Sequence, residues 1–134
     1  MRLYGQRWVY RIGNHTVTID NGFSWSLWAQ ERMLVNDETT HTTDGYMVPS
    51  RSYQEGWLTS LGDGMLHVSL TSGVLSIFCE ARIDENRLQP DECFVTVWSG
   101  AKGSWPDNSS WKPIKPAHGI RVITSRPWKS PSEG

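Results

Sequence analysis

HTVTIDNGFSWSLWAQERMLVNDE, from His15 to Glu38, is the stretch whose reading decides the fold. Val17 and Ile19 fall on one face and Thr16 and Thr18 on the other, the two-residue period of a half-buried strand. Asn21-Gly22 is a strong hairpin signal, because a type I′ turn needs positive φ at both central residues. The return strand would then carry Trp25, Leu27 and Ala29 on one face, with Asn36-Asp37 closing it.

A second stretch, LHVSLTSGVLSIFCEARIDEN from Leu66 to Asn86, has a similar layout. Setting Asn21-Gly22 on Ser72-Gly73 puts Val17 over Val68 and Ile19 over Leu70. Leu34-Val35-Asn36-Asp37 then falls over Arg82-Ile83-Asp84-Glu85. Two related hairpins of this kind predict an all-β fold, an antiparallel β-sandwich or barrel.

Working outward, Trp8 to Ile12 reads as a first strand that turns at Gly13-Asn14. The Thr-, Ser- and Gly-rich residues between Asp37 and Asp63 read as a long connection. Short edge strands are expected within it at Tyr46-Met47-Val48, stopped by Pro49, and at Gly56-Trp57-Leu58. Leu75, Ile77, Cys79, Ala81 and Ile83 share one face, the cleanest alternation in the chain. Cys93 to Trp98 reads as another strand, with Trp98 and Phe94 opposite the Cys93-Val95-Val97 face. Five of the seven prolines lie beyond Gly100, so that region is expected to be mostly loop, with one strand from Gly119 to Thr124. No amphipathic helix is evident.

With 134 residues the chain is the size of one domain. Residues 1–100 carry seven Arg, no Lys and twelve Asp plus Glu, whereas residues 101–134 carry four Lys and two Arg against Asp107 and Glu133. The reading is therefore an acidic body, 1–100, and a basic, Pro/Trp-rich extended tail, 101–134, packed on the body or on a partner. No run approaches the ~20 apolar residues of a membrane helix. MRLYGQRWVYRIG has no apolar core of a secretory signal, and a cytoplasmic location is the expectation. Cys79 and Cys93 flank a turn-rich segment and would face each other on adjacent strands if a hairpin pivots near Asn86. A bridge is possible there, and a reduced pair is the expectation for that compartment.

The hairpin outline resembles the β-sandwich domains of the Fas apoptotic inhibitory molecule family. The resemblance rests on Ile12-Gly13-Asn14-His15 entering a strand, on Leu34-Val35-Asn36-Asp37 leaving the next, and on Gly73 followed by Cys79 and Ile83-Asp84. It covers about residues 8–88 and implies a compact antiparallel sandwich without an established catalytic site. The Thr39–Gly62 loop and the basic tail do not share it.

Residue chemistry narrows the function. His15, His41, His67 and His118 show no metal-ligand spacing, and there is no CxxC or HExxH. No metal or cofactor is expected. The acidic pairs Asp37-Glu38, Asp84-Glu85 and Asp91-Glu92 suit turns more than a calcium loop. Gly100 to Ser104 lacks the P-loop spacing. With no acid–base set in view, the expectation is a non-enzymatic binding protein that engages another protein, as a small accessory or inhibitory module. Eight Trp against three Phe supply anchors for such a contact. The expected contacts are Trp57 in the loop and Trp105, Trp111, Arg126 and Trp128 in the tail. Self-association through the tail is open, and nucleic acid is set aside because a +4 tail on a −5 body is a small electrostatic footprint. Alternatives are a carbohydrate or small-ligand platform at Trp25, Trp28 or Trp98, and a small hydrolase or lyase using His67 or His118.

Overall fold

A computed structural model of the chain describes residues 1–46, 56–62, 64–73 and 75–122. It is an antiparallel β-sandwich. The strands are β1 (Arg2–Ile12), β2 (His15–Phe23), β3 (Trp28–Val35), β4 (Glu38–Tyr46), β5 (Trp57–Ser60), β6 (Met65–Ser72), β7 (Ser76–Ile83), β8 (Asn86–Arg87), β9 (Glu92–Ser99), β10 (Lys112–Ile114) and β11 (Gly119–Arg121). One sheet runs β10-β9-β1-β2-β3-β4; the other runs β11-β7-β6-β5, with β8 also paired to β7. Among the described residues no helix is long and apolar enough to cross a membrane.

The turns follow from backbone chemistry. Gly13, at φ +60°, links β1 to β2. Asn36 and Asp37 both take positive φ, +52° and +70°, as a type I′ turn requires. The Asn36 side chain also accepts from the Thr16 backbone N–H at 2.9 Å, tying this turn to β2. Asp84, at φ +54°, turns β7 into β8.

Asn21-Gly22 is not a turn. Both residues lie inside β2, where Asn21 pairs with Gln6 and Glu31, and Gly22 with Gly5 and Gln30. The chain reverses instead at Ser24–Leu27, closed by the Leu27 N–H on the Ser24 carbonyl (2.8 Å) and the Ser24 N–H on the Trp28 carbonyl (2.9 Å). Overlaying Asn21-Gly22 on Ser72-Gly73 thus sets a strand on a turn, whereas overlaying Asn36-Asp37 on Asp84-Glu85 sets a turn on a turn.

The described residues of the expected Thr39–Gly62 loop are also largely strand. β4 takes in Glu38 to Tyr46 as the edge of the six-stranded sheet, and β5 edges the other. Threonine is β-branched and suits this geometry. Because both faces of most of β4 are exposed, its sequence has no apolar alternation to betray it. Met47, Val48 and Pro49, where the first short edge strand is expected to run and stop, lie outside the described residues.

Between the sheets, alternate residues from each strand interdigitate. Trp8, Tyr10, Val17, Ile19, Met33, Cys93 and Val95 from the long sheet meet Leu66, Val68, Ile77, Cys79, Ala81 and Ile120 from the short one, with Val122 just beyond β11. The basic stretch 101–122 contributes here. β10 pairs with β9 and β11 with β7, so this one segment edges both sheets. Its Ala117 and His118 carbonyls accept the buried Trp8 indole N–H at 3.1 and 3.0 Å.

Cys79 and Cys93 stand on opposite sheets, not on adjacent strands, because β9 adds beside β1 rather than beside β7. Both are buried free thiols. Burial pushes the Cys79 thiol up to about 12, a shift partly offset by its 3.5 Å contact with the Tyr10 hydroxyl. Burial likewise raises Tyr10 and Cys93. A thiol whose folded value lies above its unfolded value of 9.0 adds stability that is complete below pH 9.0 and is lost as pH climbs towards about 12. Chemical denaturation should show stability falling over that window, and Cys79→Ala should flatten the fall. Native protein should leave Cys79 unreacted by a thiol reagent at pH 8, a pH chosen to lie about one unit below that unfolded value.

Candidate binding site

The outer face of the six-stranded sheet gathers a buried ion-pair row and several tryptophans. Registered rows cross it from β9 through β1, β2 and β3 to β4. One row reads Phe94, Arg7, Asp20, Arg32, Thr42; the next reads Thr96, Gly5, Gly22, Gln30, Asp44. In the first, Asp20 is fully buried and takes Arg7 as a two-pronged donor at 2.7 and 2.9 Å, then the Arg32 Nε at 2.9 Å. Two guanidiniums thus share one carboxylate, leaving a net positive charge with little solvent to screen it.

Indole faces compensate. Trp111 lies under the Arg7 guanidinium at 4.4 Å and Trp105 under that of Arg32 at 4.5 Å. Each such contact is worth up to ~2 kcal/mol when desolvated. Trp98 stacks on Trp105 at 5.8 Å. The glycine row makes room for these rings. A Cβ at Gly22 would meet Trp98 at 2.9 Å, and one at Gly5 would meet Thr96, Trp98 and Trp111 at that same 2.9 Å. This is why Gly22 sits in mid-strand despite its cost there.

One amide fastens the 101–105 turn to the sheet. Gln30 Oε1 accepts from the Trp28 indole N–H (2.8 Å) and the Gly103 N–H (2.8 Å), while its Nε2 donates to the Ser104 carbonyl (2.6 Å). Lys102, at the tip of that turn, lies over Tyr46 at 4.5 Å and Trp28 at 5.1 Å.

No family model, curated protein or solved structure matches the chain. The site must speak for itself.

The residues singled out by sequence occupy different settings. Trp105 and Trp111 share the outer face of the long sheet, where the protein's own arginines cover one face of each ring. Trp57, on β5, is half-buried and stacks on His41 at 5.7 Å, bridging the edges of the two sheets. Arg126 and Trp128 lie outside the described residues. Trp98 and Trp28 pack on the same outer face as Trp105. The ring of His67 meets the Arg82 guanidinium at 3.1 Å, and both ring nitrogens of His118 are buried with no hydrogen-bond partner among the described residues. Among the described residues no three His, Cys, Asp or Glu gather as metal ligands.

Sequence reasoning overlooked Leu27, Tyr46 and the Arg7–Asp20–Arg32 row. Trp25 and Leu27 stand 51% exposed in the β2–β3 turn, and Tyr46 is 49% exposed at the same end of the sheet. Behind them Trp25 packs edge-on to Phe23 (4.9 Å) and Tyr4 (6.3 Å). Leu27 is also held at φ +75°, a left-handed conformation that costs an L-residue roughly 1–2 kcal/mol. Nothing in the sequence signals their row, since Arg7 falls one residue before the expected Trp8–Ile12 strand and the pairing of the strands is not written in their spacing.

Proposed function

We propose that the protein is a binding module that engages another protein through the end of the long sheet formed by Trp25, Leu27 and Tyr46. Leu27 carries the reading. A leucine that is both exposed and held in left-handed backbone loses on two counts as a structural residue. Glycine or asparagine would close the same turn without strain. Strain and apolar exposure together mark positions kept for contact rather than for folding. The aromatic backing by Phe23 and Tyr4 stiffens Trp25, and a stiff Trp loses little entropy when a partner covers it.

The test separates stability from binding. Leu27→Gly should raise stability by about 1 kcal/mol, since it relieves the left-handed strain and removes an exposed side chain. The same substitution combined with Trp25→Ser should abolish capture of the partner that the unaltered protein retains from host lysate. Light scattering over a concentration series would tell a different protein from a second copy. If the double variant captures the same protein with the same affinity, this end of the sheet is not the contact surface.

A further inference from the structure

We propose that Trp28 and Tyr46 form a recognition corner for an organic ammonium group, closed in cis by Lys102 and opened to a lysine side chain of the partner protein. The two rings meet edge-on, with centroids 5.3 Å apart and planes at 76°. That right-angled pair presents two π faces to one point, the arrangement that holds alkylammonium ions. Lys102 Nζ already stands at that point, 4.5 Å from the Tyr46 centroid and 5.1 Å from that of Trp28.

Three further features suit a site more than a chance surface contact. Trp28 is pre-set: its indole N–H is bonded to Gln30, so the ring needs no ordering on binding. Asp44 is exposed two residues before Tyr46 on the same face of β4, supplying negative charge on the cation's side. The occupant is easily displaced, because Lys102 is exposed and sits on a two-residue turn at Gly103, φ +86°, whose fastening to Gln30 runs through backbone atoms and not through the lysine. Lys102 can leave while the turn stays in place.

The inference rests on the binding-module reading and names the chemistry that the partner must bring, a lysine flanked by apolar residues that cover Trp25 and Leu27. An internal lysine acts as a competitor, so the apparent affinity falls by the fraction of time that the corner stands open.

Tetramethylammonium chloride probes the corner without any partner, so the outcome is independent of whether Trp25 and Leu27 dock a protein. The Trp28 indole N–H resonance of the full chain would be followed during titration, against sodium chloride at matched ionic strength. Lys102→Ser should show a saturable shift in the millimolar range, roughly tenfold tighter than the unaltered protein. Lys102→Ser with Tyr46→Leu should show none, with thermal unfolding confirming that this variant is folded. A lysine-containing peptide should compete with tetramethylammonium for the Lys102→Ser protein. Absence of a saturable shift in Lys102→Ser would overturn the site, and equal affinity with and without Lys102 would overturn its closure in cis.

Discussion

Ending the chain at Gly100 is expected to yield a polypeptide that does not fold. The truncation removes Trp111, Ile120 and Val122, all buried. Losing one large core side chain costs about 2–5 kcal/mol, so three of them approach the entire 5–15 kcal/mol that a domain of ordinary stability holds. Strands β10 and β11 would go too, baring the edges of β9 and β7, and the buried Trp8 indole would lose both acceptors. Far-UV circular dichroism and amide dispersion would read the result. A cooperative thermal transition in the 1–100 fragment would show instead that residues 101–122 are an appendage.

Removing the Asp20 carboxylate should be the most damaging single change on the outer face. Asp20→Ala leaves the Arg7 and Arg32 guanidiniums side by side, with their side chains only 12% and 15% exposed and no countercharge between them. Breaking a buried ion pair from one side costs about 3–5 kcal/mol, because the remaining charge is stranded. Urea unfolding should show the midpoint drop at constant slope. Tryptophan emission should shift to the red as Trp105 and Trp111 lose the cations they lie against. The exposed Arg11–Glu92 pair is the control: its loss should leave the midpoint nearly unmoved. If Asp20→Ala behaved like that control, the stack would be a surface decoration rather than a second packed layer.

These two expectations mark where sequence is informative and where it is not. Alternation identified β2, β6, β7 and β9, since each sets apolar residues on its core-facing side, although β2 buries its polar side as well. The Asn36-Asp37 turn was legible because its backbone demand is local. Asn21-Gly22 carries the same local signal and obeys a different demand. Gly22 is small because Trp98 lies against it, and that ring comes from 76 positions further along the chain. Local turn propensity is a preference of a few residues, and pairing with β1 and β3 on both sides overrides it. β4 was misread for the opposite reason, having too little burial to print a pattern. The Arg7–Asp20–Arg32 row draws on three strands, so no spacing along the chain could announce it before register was known.

The contacts of β1 have a kinetic consequence. Its neighbours are β2, made immediately after it, and β9, made some 90 residues later, so that Arg2 pairs with Ser99. The long sheet therefore cannot complete until almost the whole described chain has been synthesised, and the pairing that joins β9 to β1 closes a very large loop. Contacts of such separation slow folding, because the entropy of closure is lost before any packing is gained. During that wait the free side of β1 is an open edge rich in aromatic residues, from Tyr4 through Trp8 to Tyr10. The nascent chain is at its most aggregation-prone then, and strand β9 acts as the latch that ends the exposure.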